Sequence, residues 1–104
     1  MVGKNQAYKT INSAIAQAQN GDTILVQKGH YKEGNINIQK SIALIGIGRP
    51  VLDGQMKYEI VSLRANKILL QGFKIINSGE DEVKNIGAVR LYDSQFSTIK
   101  NNIF

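Results

Sequence analysis

The sequence predicts an all-β chain wound as a right-handed parallel β-helix of about three coils, each with three short strands, and a short N-terminal capping helix. Three observations carry that prediction. Alternating apolar pairs recur in Ile42-x-Leu44-x-Gly46-Ile47, Ile68-x-Leu70-x-Gly72-Phe73 and Ser97-x-Ile99-x-Asn101-Asn102, with 26 residues from Leu44 to Leu70 and 29 from Leu70 to Ile99. A second pair precedes each segment: Ile36/Ile38, Val61/Leu63 and Val89/Leu91. A third short strand follows the first two, Val51-Leu52-Asp53 and Ile75-Ile76-Asn77. The intervals leave no room for crossover helices, so each strand must turn directly into the next.

The N-terminal helix is read from spacing. Ile11, Ala14, Ile15 and Ala18 recur at three and four residues, Thr10 is a side-chain acceptor at the N-cap, and Asn20-Gly21 is a left-handed stop. The predicted helix covers residues 11–19 and lies over the N-terminal mouth, shielding unpaired strand atoms. Ile24 and Val26 then read as the third strand of a leading half-coil. Within the coils, alternation sends Ile36, Ile38, Ile42, Leu44, Val61, Leu63, Ile68 and Leu70 inward and leaves Asn37, Gln39 and Ala43 outward. Stacking places Ile42 over Ile68 and Leu44 over Leu70.

Gly46 and Gly72 share one column at the next bend, where a positive φ suits glycine, and Asn101 follows them as the next best residue. Ile47, Phe73 and Asn102 form the neighbouring column. There the Asn102 amide is expected to begin a ladder, bonding the turn of the coil beyond it. The remaining connections are polar, at about 27–35, 54–59 and 78–88. On this register they project from one edge and bring His30, Met56 and Glu80-Asp81-Glu82 to adjacent levels. The C-terminal end has no cap matching the helix, so either another chain is expected to cover it or, the favoured reading, residues 1–104 are one N-terminal segment of a longer solenoid, with its coils at about 23–104.

Composition narrows the function. The net charge is +5, from 13 basic and 8 acidic residues, but the basic residues are spread evenly without aromatic interleaving, which argues against nucleic acid. There is no cysteine, so disulfides and thiolate ligation are out. No apolar run is long enough for a membrane span, and residues 1–20 carry no signal-peptide pattern.

Several segments together resemble a known family. Thr10-Ile11 with Ala14-Ile15, Gly21-Asp22-Thr23-Ile24, Gly29-His30-Tyr31, and Ile36 through Gly48 are similar to the opening coils of extracytoplasmic β-helix proteins. Pro50-Val51-Leu52-Asp53-Gly54, Leu70-x-Gly72-Phe73-x-Ile75-x-Asn77-Ser78-Gly79 and Gly87-Ala88-Val89 resemble the NosD-like periplasmic copper-handling proteins of nitrous-oxide reductase maturation. The resemblance implies a non-enzymatic role in copper delivery, a periplasmic or otherwise extracytoplasmic location, and work beside an ABC transporter ATPase and permease and a copper-carrying lipoprotein. It transfers no copper ligand residue by residue.

Candidate sites follow from side-chain chemistry. Copper(I) favours thioether and imidazole, which singles out His30 and Met56 as a possible shared site, against the plainer reading of two turn residues. Glu80, Asp81 and Glu82 form a binding-loop edge with carboxylates for a hard cation, against a solvated loop. For catalysis, Asp53 and Asp93 fall on different faces and do not pair as a glycosidase would require. The rival function is a polysaccharide-binding module, or a structural spacer. Sugar binding calls for Tyr8, Tyr31, Tyr58 and Tyr92 to line up along one outer sheet.

Overall fold

The computed structural model describes residues 2–3, 6, 8–55, 60–76 and 89–103. In chain order they form helix α1 (Ile11–Gln17) and ten strands. These are β1 (Thr23–Val26), β2 (His30–Tyr31), β3 (Ile36–Ile38), β4 (Ala43–Gly46), β5 (Val51–Asp53), β6 (Val61–Leu63), β7 (Leu69–Gln71), β8 (Lys74–Ile76), β9 (Val89–Leu91) and β10 (Thr98–Lys100). Every pairing is parallel, and the strands sort into three sheets, β1-β4-β7-β10, β2-β5-β8 and β3-β6-β9. The chain therefore visits three sheets in rotation, and each round stacks on the one before. The structure is thus mostly strands in parallel sheets, with one short helix.

Like residues stack because the rounds are in register. Ile36 and Ile38 lie over Val61 and Leu63, and Leu44 over Leu70, all of them buried. Leu52 and Ile75 close the core from β2-β5-β8. One apolar cluster joins residues of all three sheets with Ile11, Ala14 and Ile15 of α1. Such β-branched and leucine side chains suit a pleated surface buried on its inner side.

Three placements correct the sequence reading. First, Ile24 and Val26 belong to β1, which pairs with β4 (Ile24↔Leu44, Val26↔Gly46), so they are a second-column strand and not the third strand of a half-coil. The third strand of that round is β2, His30–Tyr31, which pairs with Val51 and Leu52. The connection predicted at 27–35 contains this strand, and His30 sits on a sheet and not in an edge loop. The first round is short, with 20 residues from Ile24 to Leu44, and that hid the register behind the longer later repeats.

Second, Ile47 does not share a column with Phe73. Four residues separate Gly46 from Val51, but one separates Gly72 from Lys74, so register aligns Phe73 with Pro50. Phe73 is fully buried, whereas Ile47 is 46% exposed in a bulged turn with left-handed Gly48 (φ 75) and Arg49 (φ 61). Third, Asn102 bonds the round before it and not one beyond. Its Oδ1 accepts from the Phe73 N–H at 2.9 Å and its Nδ2 donates to the Leu70 carbonyl at 3.0 Å. At the tight bend at Gly72-Phe73 one amide thus serves a backbone donor and a backbone acceptor together.

Gly46 and Gly72 do meet. A Cβ on Gly46 would stand 2.6 Å from the Gly72 carbonyl oxygen, and one on Gly72 would stand 2.6 Å from the Gly46 oxygen. Only Gly72 (φ 89) and Asn101 (φ 56) in this column are left-handed, so close approach, not conformation, demands glycine at position 46.

The helix ends at Gln17, two residues short of the predicted 19, because Ala18 is already extended (φ −78, ψ 159). Gly21 is left-handed (φ 92) but serves the turn that follows. Thr10 caps the N-terminus by accepting from the Ser13 N–H. Two charges from the next round bracket the helix. The Glu33 carboxylate accepts from the N–H groups of Ile11 (2.6 Å) and Asn12 (2.9 Å). The Lys40 Nζ donates to the carbonyls of Ile15 (2.8 Å), Ala16 (3.1 Å) and Ala18 (2.6 Å). Each charge has the sign that opposes the local end of the helix dipole. Val2 pairs with Val26 beyond the helix and occupies part of the β1 edge.

Lys40→Met, which keeps the apolar stem, is expected to cost about 1–2 kcal/mol, from three lost charge-assisted bonds partly replaced by water. Urea unfolding checks this. An unchanged midpoint would show that the ammonium adds nothing to the helix end.

At the far end the columns emerge. Leu91 (47% exposed) and Ile99 (36%) continue columns whose earlier members, Leu63 and Leu70, are buried, whereas Ile103 (48%) stacks on exposed Lys74 of an outward column. Among the described residues no helix is long and apolar enough to cross a membrane.

Candidate functional site

His30 and Asp53 are brought together by strand stacking. Leu52 and Ile75 point inward, so alternation turns His30, Val51 and Asp53 to the outer side of β2-β5-β8. His30 lies opposite Val51, and the diagonal step to Asp53 is within reach of both side chains. His30 Nε2 stands 2.7 Å from Asp53 Oδ2. Asp53 is itself fixed, because its Oδ1 accepts the Gln55 N–H at 2.8 Å in a side-chain turn ending the strand.

The two partners differ in exposure. Asp53 is nearly covered (9% of its side chain) while the His30 side chain is 49% open. A carboxylate only accepts, so Nε2 carries the proton of this bond and Nδ1 is the ring nitrogen that can offer a lone pair. This is the geometry in which a carboxylate orients an imidazole for a metal through the opposite nitrogen. Among the described residues no three histidine, aspartate or glutamate side chains converge on a common point.

Met56, the other proposed copper ligand, lies outside the described residues, as do Glu80, Asp81 and Glu82. Asp53 was legible only as a carboxylate on a different face from Asp93. Its partnership with His30 required knowing that His30 lies on a strand, two positions along the ladder. The structural residues Gly46, Gly72, Asn101 and Asn102 cluster at the bend between β1-β4-β7-β10 and β2-β5-β8. A similar device that sequence reading missed occurs at another corner. Asn20 Oδ1 accepts the Ser41 N–H and Asn66 Oδ1 the Gln95 N–H, both at 2.9 Å, each asparagine bonding the next round. The signal was an asparagine just ahead of a left-handed residue, Gly21 (φ 92) or Lys67 (φ 56).

The described tyrosines, Tyr8, Tyr31 and Tyr92, do not form one row. Tyr8 packs beside α1 and lines a cleft of about 210 Å³ with Ala14, Gln17, Ala18, Asp22, Thr23 and Ile24. Tyr31 packs against the core, and its hydroxyl donates to the Gln27 carbonyl at 2.8 Å. Burial, and then the Glu33 carboxylate, push its phenol above the ordinary value of 10.0. Tyr92 lies on the outer side of β3-β6-β9, and Tyr58 is outside the described residues. Compared with known protein families, curated proteins and solved structures, the chain matches none.

Proposed function

We propose that the three sheets are the faces of a right-handed parallel β-helix. We further propose that the chain serves, without catalysis, in copper delivery during nitrous-oxide reductase maturation. The rotation of the chain through three parallel sheets supports the first reading, since direct turns between such strands favour one hand. The second is supported by one observation: a half-exposed imidazole held through Nε2 by a covered carboxylate, an arrangement that leaves Nδ1 as the nitrogen for a metal.

In this reading copper is cargo. Imidazole from His30 and thioether from Met56 suit copper(I), and so small a ligand set suits an ion passed on and not kept. The acceptor side is extracytoplasmic, and an ABC transporter ATPase and permease and a copper-carrying lipoprotein work beside the chain.

An anaerobic copper(I) competition titration tests this. The unaltered chain is expected to bind one equivalent, and His30→Ala and Met56→Ala to lose that binding. Asp53→Asn, which unfixes the ring without removing a ligand, is expected to weaken it by about tenfold or more. Absence of stoichiometric binding in the unaltered chain, or its persistence in His30→Ala, would reject the copper reading.

A further inference from the structure

The outer side of β3-β6-β9 carries a second arrangement, unrelated to His30. Two outward columns cross this sheet. One is Asn37, Ser62 and Arg90, in direct register. The other is Gln39, Arg64 and Tyr92, where the ladder continues through Arg64 N–H to Ile38 O and Tyr92 N–H to Leu63 O, each at 2.8 Å. None of these six residues bears a carboxylate, and two bear guanidinium groups. Ser62 is buried, its Oγ accepting from Asn35 Nδ2 at 2.8 Å.

Arg64 is held in place from two sides. Its Cζ stands 4.0 Å from the centroid of the Tyr92 ring, and its Nε donates to Asn37 Oδ1 at 3.0 Å. Stacking fixes the plane of the guanidinium, and the Nε bond fixes its rotation within that plane. The terminal nitrogens are left as a fork, the geometry that accepts a carboxylate through two parallel bonds. Most of the ordering entropy that a surface arginine loses on pairing has therefore already been spent. Arg90 Cζ lies 5.6 Å from the same ring.

We infer that this face docks an acidic peptide segment of a partner protein, with Arg64 taking one carboxylate at both ends of its fork. A peptide is favoured over an acidic sugar by the use made of Tyr92. A pyranose would stack on an open aromatic face, but here Arg64 covers the ring and makes it a support for the cation. Arginine and tyrosine side by side on a firm sheet are the residues that dominate protein interfaces. The net charge of +5 attracts an acidic partner from a distance.

The test is fluorescence anisotropy with two labelled probes, hexaglutamate and an oligogalacturonate, at low and at high salt. Hexaglutamate is expected to saturate, to weaken with salt, and to bind about tenfold less well to Arg64→Gln. Arg64→Lys, which keeps the charge but loses fork and stacking, is expected to fall nearly as far. Lys74→Gln, an equal charge change on exposed β8, is expected to bind as the unaltered chain does. Equal losses in Lys74→Gln and Arg64→Gln would show diffuse attraction and overturn the inference. So would full binding by Arg64→Lys, tighter binding of the oligogalacturonate than of the peptide, or no saturation at all.

Discussion

Phe73→Ala is expected to cost about 3–5 kcal/mol, the largest effect of any single truncation in this chain. Phe73 is the bulkiest of the fully buried side chains, and it lies where the second sheet begins. Its backbone is held on both sides: its N–H by Asn102 at 2.9 Å and its carbonyl by the Ile103 N–H at 2.8 Å. The bend thus has little freedom to collapse into the space a missing ring would leave, and the cavity term is added nearly whole. Ile47→Ala is expected to cost less than about 1 kcal/mol, because that side chain already meets water over nearly half its surface. Urea unfolding of the two variants, with unchanged denaturant slopes, gives the comparison. Equal costs would restore Ile47 to the buried column and undo the alignment of Phe73 with Pro50.

Gly72→Ala is expected to cost about 2–4 kcal/mol, combining left-handed strain with the expulsion of a methyl group from a 2.6 Å approach to the Gly46 oxygen. Gly46→Ala meets the same crowding, from the Gly72 oxygen at 2.6 Å and Pro50 Cδ at 2.8 Å, without the positive φ. It is expected to be milder by about 1 kcal/mol, the part due to handedness. Gly72→Asn separates the two demands. Asn101 occupies this column one round later at φ 56, so asparagine tolerates the backbone there. If Gly72→Asn is nearly neutral, conformation alone selects glycine. A cost as large as that of alanine assigns it to the contact between rounds.

These two positions also show what the sequence made legible. Period and alternation placed Ile36, Leu44, Val61, Leu63 and Leu70 on their columns, because a repeat writes the same inward positions once per round. Period failed where round length changed. The short first round moved β1 into the wrong column and dissolved His30 into a loop, and the extra residues at 47–50 put Ile47 where Pro50 belongs. A pattern of apolar pairs fixes what points inward but holds no record of how many residues each corner uses. The candidate site suffered most from this. The bond between His30 and Asp53 is a diagonal contact between rounds, so it can be recognised only after the corner lengths are known. The support of Arg64 by Tyr92 and Asn37 was hidden for the same reason: its three members come from three successive rounds.

The bracketing of α1 by Glu33 and Lys40 has a consequence for the order of events during synthesis. A seven-residue helix does not hold its shape alone in water. The groups that satisfy its two ends arrive more than twenty residues later in the chain. When the segment at Ile11–Gln17 first leaves the ribosome, it has Thr10 at its start, but the two charges that hold its ends have not yet been made. It stays unstructured until the chain has closed its next circuit and brought the carboxylate and the ammonium back to it. The first element in sequence is therefore among the later ones to form, and the near end of the stack stays open until the second circuit has been laid down.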